Sequence, residues 1–333
     1  MKETPFITIG IASYNYARFL PRAFEAIKRQ SFRDFEVLYC DDGSTDDSVA
    51  VIRSFMENHP DMTIRLVEGK NGGVMANKNR ILQNARGEYV MLCDADDWMD
   101  DNCLELLAEK AKQTGADRII AGFRNVTDKG NGVLETGQVE EVPPHPSKWN
   151  QFQHHGCLYR RAVYVEQDIW FRPDCYPDDF DFIERFNAHC GQAAFVHQVV
   201  YNFYHNGQST SSVKDRTSRW YYLNLFREIT ALTAQLLPQL GQEDAWQLQA
   251  VVMRIYLADV FSTRNGGELR ELTALLNRAM PDCLNNPLLY SRARSPYRTN
   301  TFYKSLVLVI LMRLHCLAPA AALYRVLQRG GKT

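Results

Sequence analysis

Apolar and polar positions in the first 115 residues repeat in one order, a short apolar run, a polar loop and an amphipathic helical segment. Four apolar runs are typical of buried strands: FITIGIA (6–12), FEVLYC (35–40), TIRLVE (63–68) and EYVMLC (88–93). Strands that alternate with helices in this way predict an α/β fold with a mostly parallel sheet covered by helices on both faces.

A polar loop follows each of these runs, and the last three loops are rich in acidic residues or glycine. The loops are SYNYA (13–17), DDGSTDD (41–47), GKNGG (69–73) and DADDW (94–98). In open parallel sheets, ligands bind beyond the carboxyl ends of the strands. The four loops are therefore expected to meet at one edge of the sheet and to form the ligand site.

The later part of the chain changes character twice. Residues 127–148 are polar and irregular, which predicts a long loop or a hairpin, and strand-like and helical patterns return from residue 156. From about residue 217 the pattern is almost wholly helical. The sequence thus predicts two domains, an α/β domain over 1–215 and a helical domain over 216–333.

Composition narrows the function classes only slightly. The 333 residues carry a formal net charge of -1, which gives no reason to expect nucleic-acid binding. The start, MKETPFITIG, lacks the basic and then apolar pattern of a secretion signal, so a cytoplasmic protein is expected. The eight cysteines include no C-x-x-C pair, which favours buried free thiols over a structural zinc site.

The carboxyl-terminal tail is basic and apolar. No acidic residue follows Asp282, and eight lysine or arginine residues do. Its longest uncharged apolar run is shorter than the ~20 residues of a membrane-spanning helix. Two interpretations stay open: an amphipathic tail on an anionic membrane surface, or a helical pair packed on the core or on a second subunit.

Two acidic loops carry the candidate chemistry. Asp94 and Asp96 stand two positions apart at a strand end, where a divalent cation, Mg²⁺ or Mn²⁺, would relieve their repulsion and bind a diphosphate. The alternative is a solvated turn in which Asp100 or Asp101 caps the next helix. In the second loop, Asp42 could accept hydrogen bonds from a nucleobase, whereas capping alone would explain residues 44–47.

Four motifs in one order resemble glycosyltransferase family 2, the inverting, nucleotide-sugar-dependent group with the Rossmann-like GT-A fold. Three segments carry the four motifs, two of which lie in the first segment. The segments are ITIGIASYNYARFLPRAFEAIKRQSFRDFEVLYCDDGSTDDSVAVI, NGGVMANKNRIL and GEYVMLCDADDW. The resemblance covers about the first hundred residues and stays recognisable to about residue 212, whereas the last third resembles no family.

The resemblance implies a donor-binding role for residues in each motif. Asp96 matches the principal metal ligand, and Asp94 matches an acid that touches ribose or metal. Lys78 stands where the family often has the arginine that lies near the diphosphate, and lysine loses that residue's bidentate fork. Asp42 matches the uracil-binding acid. The remaining matches are to the nucleotide contacts, namely Ser13, Tyr14 and Asn15.

The resemblance also implies a catalytic base and an acceptor side. In YPDDFDFIERF, Asp179 matches the usual base and Asp178 is its neighbour, although either could merely cap the helix. YHNGQSTSS resembles a mobile loop over the diphosphate, in which His205 and Ser209 would contact metal or phosphate, or His205 would only pack. On the acceptor side the candidates are Trp98, which could instead be core, and Tyr159 of HHGCLYRR.

Together these features predict an inverting, metal-dependent glycosyltransferase that moves a sugar from a UDP-sugar to a glycan or lipid-linked acceptor. Assembly of a bacterial surface polysaccharide or lipopolysaccharide, peripheral to the inner face of the cell membrane, is the expected setting. The alternative is a catalytically inactive nucleotide-sugar-binding module of the same fold. No G-x-G-x-x-G turn follows the first strand and no P-loop is present, which disfavours dehydrogenases and NTPases.

Overall fold

The computed structural model describes residues 4–128, 133–142, 146–150, 153–172, 178–206, 219–260, 266–290, 299–314, 317 and 321. The strands are β1 (Ile7–Ser13), β2 (Phe35–Asp41), β3 (Ile64–Glu68), β4 (Tyr89–Asp94), β5 (Trp98–Met99), β6 (Arg118–Asp128), β7 (Leu134–Glu140), β8 (Cys157–Arg160) and β9 (Ala193–His205). The α-helices are α1 (Leu20–Lys28), α2 (Ser48–Asn58), α3 (Val74–Asn84), α4 (Cys103–Thr114), α5 (Arg161–Glu166), α6 (Asp178–His189), α7 (Arg219–Leu236), α8 (Gln242–Val260), α9 (Gly266–Ala279) and α10 (Thr299–Arg313).

The strands form one mixed sheet in the order β3-β2-β1-β4-β8-β6-β9-β5, with β7 paired to β6. Strands β3, β2, β1 and β4 run parallel, and β6 runs parallel to β9. The joins of β8 to β4 and β6, of β5 to β9 and of β7 to β6 are antiparallel. The predicted α/β class, with a mostly parallel sheet flanked by helices, is confirmed.

The register of the parallel strands places their carboxyl ends side by side. Ser13 of β1 lies opposite Asp41 of β2, and Ala12 lies opposite Asp94 of β4. Because parallel strands deliver their following loops to the same edge, the loops after β1, β2 and β4 leave the sheet within a few residues of one another.

Helices cover both faces of the sheet because each presents an apolar stripe to it. On one face, α1 buries Leu20, Phe24 and Ile27 together with residues of α2 and α4. On the other face, α3 buries Ile81 and Leu82 beside residues of α5 and α6. A fully buried Leu, Ile or Phe side chain contributes about 1.5–3 kcal/mol, so these stripes hold each helix against the sheet.

Two compact units divide the chain, and the first comprises Met1–Val142 with Phe152–Lys214. The irregular region predicted over 127–148 contains β7, which forms an antiparallel hairpin with β6.

The second unit comprises Pro143–Gln151 with Asp215–Thr333, and its described helices are α7 to α10. It therefore includes a short segment that the sequence assigned to the first domain. In that segment Trp149 is fully buried, and its Nε1 donates to Asp244 Oδ1 at 2.7 Å. None of the helices in the described part of the chain is long and apolar enough to cross a membrane.

Helix α3, which carries Lys78, packs closely on β1 at a glycine. A Cβ atom at Gly10 would lie 2.1 Å from Cγ2 of Ile81, far inside van der Waals contact. Interiors packed at crystal-like density have no room for this overlap, so the glycine sets the spacing between helix and strand.

Substituting Gly10→Ala is expected to lower the free energy of unfolding by about 1–3 kcal/mol, because α3 must move away from the sheet. Ile81→Ala removes the overlapping methyl group, so the double variant should lose about 0.5–3 kcal/mol less than the two single losses added together. Urea unfolding of the four proteins measures this coupling.

The control is Gly137→Ala on β7, where a new Cβ would meet no atom nearer than 3.6 Å. Its effect should stay within about 0.5 kcal/mol. Strict additivity of Gly10→Ala and Ile81→Ala would contradict the packing argument.

Candidate active site

The loop after β4 holds three carboxylates that differ in their surroundings. Asp94 keeps a third of its side chain exposed, whereas Asp96 and Asp97 are buried. Asp97 accepts hydrogen bonds from the Tyr201 hydroxyl and the Tyr204 backbone N–H, both at 2.8 Å. Asp96 accepts one from the Asn206 side-chain amide. Of the three, only Asp94 therefore presents its carboxylate at the opening of the site.

Two consecutive histidines face Asp94 from the segment before β8. Nε2 of His154 lies 3.7 Å from Asp94 Oδ2, and Nε2 of His155 lies 3.9 Å from the same oxygen. One ligand atom from each of the three residues lies within 4.8 Å of the other two. Among the described residues this is the group whose donors could hold a metal ion.

A tight turn aims both histidines at this point. The backbone N–H of Cys157 donates to the carbonyl of His154 at 3.2 Å, and Gly156 at the third position has φ 65°. A type II turn requires such a left-handed conformation at its third residue, which glycine adopts without strain.

The amino end of α6 completes the site with Asp179. Its Oδ1 accepts a hydrogen bond from Lys78 Nζ at 2.8 Å, and its Oδ2 lies 3.1 Å from His154 Nδ1. Lys78 comes from α3 and is almost fully buried, while Asp179 remains partly exposed. The His154 ring thus lies between Asp179 and Asp94 and touches the carboxylates of two separate elements.

Burial and charge set the protonation of the pocket. Burial opposes ionisation of Asp179, but Lys78 and His154 outweigh it and lower its pKa below the ordinary value. Burial also opposes ionisation of Asp94, but the neighbouring His154 imidazole outweighs it and lowers the pKa of Asp94 well below the usual range. Burial and Lys78 act to lower the pKa of His154, yet the Asp179 and Asp94 carboxylates raise it to about 9.

The pKa values of the two inner acids, Asp96 and Asp97, shift in the opposite direction. Burial and the nearby charge of Asp94 raise the pKa of Asp96 to about 7. Burial, with Asp96 and Asp94 beside it, raises the pKa of Asp97 well above its ordinary value. The carboxylates at the end of β4 are thus arranged with one acid ionised at the opening and two that resist ionisation behind it.

Asp42 holds the glycine-rich loop before α3. Its two oxygens accept the backbone N–H groups of Gly72 at 3.0 Å and Gly73 at 2.8 Å, and Arg80 lies 3.4 Å away. Its side chain is buried, so this acid shapes the loop that leads into α3. Its uracil-binding role stays a prediction.

Asn15 fastens the loop after β1 to the loop after β2. Its Oδ1 accepts the backbone N–H groups of Thr45 at 2.8 Å and Asp46 at 3.3 Å, with its own φ at 58°. Beside it, Ser13 is buried and Tyr14 is exposed. Asn15 therefore positions the loop, and Tyr14 is the neighbour with open surface.

The structure places the other predicted residues as follows. His205 is exposed at the end of β9, and its Nε2 lies 2.7 Å from Asn125 Oδ1, apart from the Asp94 group. Trp98 lies in β5 with the Arg22 guanidinium 4.0 Å from its ring centroid. Asp178 begins α6, but its side chain, like all of Ser209, lies outside the described residues.

The acceptor role predicted for Tyr159 requires a correction. Its side chain is fully buried in β8 and packs edge-on against Phe182 and Phe186. The alternation of side chains along β8 directs it into the core, so it has no surface open to a sugar.

Sequence reasoning missed His154, His155 and Arg22 as site residues. Arg22 donates from Nη2 to the Asp96 carbonyl at 2.7 Å and fixes the acidic loop from α1. The doubled histidine before a glycine was the available indication, but a spacing of about sixty residues from Asp94 gives no periodic pattern.

Comparisons with known proteins support the glycosyltransferase family 2 assignment that the sequence motifs indicate. The family model described as Glycosyl transferase family 2 matches residues 8–163. Over 132 residues the chain is 33% identical to the chondroitin synthase of Escherichia coli, which covers 39% of this chain and 19% of that protein. The chain therefore spans about a fifth of the length of this relative.

Two solved structures share the fold. S. aureus TarS 1-349 in complex with UDP-GlcNAc has a TM-score of 0.68 at 16% identity, covering 97% of this chain and 92% of that one. The mannosyltransferase PcManGT from Pyrobaculum calidifontis, in complex with GDP-Man and Mn²⁺, has a TM-score of 0.55 at 20% identity, covering 94% and 88%. At these identities the likeness shows the fold alone. The family match shows more: residues 8–163 of this chain form a glycosyl transferase family 2 domain.

Proposed function

We propose that this chain is an inverting, metal-dependent glycosyltransferase that moves one sugar from a UDP-sugar to a glycan or lipid-linked glycan acceptor. One observation carries the proposal: Asp94, Asp179 and Lys78 meet around His154, at the carboxyl end of the sheet of a family 2 domain. The consecutive elements α3 and β4 and the distant helix α6 bring acids and a cation together there, which a catalytically inactive fold would not require.

The donor side of the site is suited to a diphosphate. Lys78 supplies a positive charge, and Asp94 at the opening would hold a divalent cation. The unpartnered ring nitrogens of His154 and His155 beside Asp94 fit a bound cation. Such a cation stabilises the negative charge that develops on the departing diphosphate.

Asp179 is the proposed general base. In the transfer, the acceptor hydroxyl oxygen bonds to the anomeric carbon as the bond from that carbon to the diphosphate oxygen breaks, and Asp179 takes the hydroxyl proton. Lys78 and His154 keep the carboxylate ionised. When Lys78 turns toward the donor diphosphate, Asp179 loses a neighbouring cation and becomes more basic.

The substrates are proposed from the relatives. A UDP-sugar donor is supported by TarS, whose structure holds UDP-GlcNAc, and a metal by PcManGT, whose structure holds Mn²⁺ with GDP-Man. The similarity to a chondroitin synthase supports a polysaccharide acceptor, in keeping with bacterial surface glycan assembly.

The tail is proposed to rest on an anionic membrane surface, which would bring a lipid-linked acceptor close. Val307, Ile310 and Leu314 are exposed at helical spacing on and just after α10. They lie in the region after Asp282 that contains no acidic residue. Apolar exposure beside positive charge suits an interface with anionic lipid.

Substituting Asp179→Asn is expected to reduce sugar transfer by roughly 10²–10⁴-fold, the usual contribution of a general base, because the amide cannot take the proton. UDP binding should persist, since the change leaves the nucleotide loops intact. A transfer assay with a UDP-sugar and calorimetry with UDP measure the two effects.

Asp168→Asn is the matched control. Asp168 is exposed and has φ 52°, a conformation that asparagine tolerates, so the same loss of charge should leave transfer unchanged. Full turnover by the Asp179→Asn variant would assign the base to another residue.

Removing divalent metal is expected to abolish transfer and to weaken UDP binding, because the diphosphate loses its counter-charge. Calorimetry with UDP and with GDP, in Mn²⁺ and in EDTA, measures the dependence and the base preference. EDTA saturated with metal beforehand serves as the control. Equal UDP affinity with and without metal would overturn the metal-dependent mechanism.

Replacing Val307 and Leu314 together by Gln is expected to reduce partition onto vesicles of anionic lipid by about tenfold, because two apolar side chains no longer enter the interface. Val165→Gln, at an exposed apolar residue of the α/β unit, is the control. Unchanged partition of the double variant would instead support packing on protein.

A further inference from the structure

We propose that the metal of this site is a transition-metal ion held by the ring nitrogens of His154 and His155 together with the carboxylate of Asp94. This set favours ions such as Mn²⁺, Co²⁺ or Zn²⁺ and rejects Mg²⁺. The inference deepens the proposed function, on which it rests for the role of the ion, and names the class of metal.

The distances fit a shared ion better than direct pairing. His154 Nε2 and His155 Nε2 lie 3.7 Å and 3.9 Å from Asp94 Oδ2, beyond hydrogen-bond range. Ligand atoms that each lie about 2.0–2.2 Å from one ion are separated by roughly 3–4.4 Å. Both separations fall within this interval.

The histidine nitrogens are buried without a partner. The side chains of His154 and His155 are 2% and 5% exposed. Nε2 of His154 and both ring nitrogens of His155 make no hydrogen bond. A buried polar atom left unpaired costs about 1–3 kcal/mol, so their arrangement around Asp94 calls for a ligand. An ion at this point would satisfy the Nε2 atoms of both rings.

Each ring is held in place by other contacts. Nδ1 of His154 lies 3.1 Å from Asp179 Oδ2, which leaves Nε2 directed at Asp94. A carboxylate on the far nitrogen of a metal-binding histidine is the usual way of fixing ring orientation. The His155 ring is stacked on Phe203 with centroids 4.2 Å apart and lies 5.4 Å from Phe123. Packing therefore orients the second ring without any hydrogen bond.

The chemistry of the donors sets the choice of metal. Imidazole nitrogen suits transition-metal ions such as Zn²⁺, and among the divalent first-row ions Mn²⁺ binds such donors most weakly, whereas Mg²⁺ prefers oxygen ligands in an octahedron and retains several waters. Two buried imidazoles and a single carboxylate do not provide the octahedron of oxygen ligands that Mg²⁺ prefers. Asp96, the alternative oxygen donor, already accepts from Asn206 and is buried.

The test is pulsed electron paramagnetic resonance of Mn²⁺ bound to the full chain in the absence of donor. The expected spectrum shows nitrogen couplings from two imidazoles at one bound ion, and excess Mg²⁺ does not displace it. His155→Phe keeps the aromatic packing and should lose one coupling. His154→Asn keeps a donor near Asp179 and should lose the other. Both variants should bind Mn²⁺ at least about tenfold more weakly.

His197→Asn, on the exposed face of β9, is the control and should leave the spectrum and the affinity unchanged. Thermal unfolding monitored by circular dichroism confirms that the variants are folded.

Three outcomes overturn the inference: bound Mn²⁺ without nitrogen coupling, no binding of Mn²⁺ to the free protein, or displacement by equimolar Mg²⁺. The first and third leave the proposed transferase intact, because its transfer assay is independent of the ligand set. Conversely, two nitrogen couplings without any sugar transfer would support the metal site and remove the proposed function.

Discussion

The repulsion between carboxylates gathered at the end of β4 is the constraint on which the site depends. Asp94, Asp96 and Asp97 lie within four residues of one another and largely away from water, where like charges cannot all persist. Nearby cationic side chains stabilise the ionised form of Asp94, the outer acid. The pKa values of Asp96 and Asp97, the inner acids, are instead raised. A positively charged ligand at this position would relieve the repulsion further.

Separate elements of the fold supply the groups that surround these carboxylates. The in-register ends of β1, β2 and β4 place their loops at one edge, while α3 and α6 bring Lys78 and Asp179 to the same place. The closeness of α3 to the sheet, set by the glycine in β1, fixes how far its lysine reaches. The packing of α3 on β1 thus contributes to the electrostatics of the site.

Much of the fold and part of the site could be predicted from the sequence. Strands β1 to β4 follow from continuous apolar runs, and Asp94 and Asp179 follow from family motifs. The direction of side chains within a loop does not follow, so the contacts of Asp96 with Asn206 and of His205 with Asn125 could not be predicted. The histidine pair beside Asp94 was missed because contacts between distant segments leave no periodic pattern in the sequence.

The left-handed residue after the histidine pair has a consequence for recognising such sites. Consecutive side chains on an extended strand point to opposite faces, so two adjacent rings can converge only where the backbone turns sharply. Gly156 provides that turn, and most side chains there would be strained at φ 65°. The triplet His-His-Gly, rather than the two imidazoles alone, is therefore the sequence unit that brings both rings to Asp94.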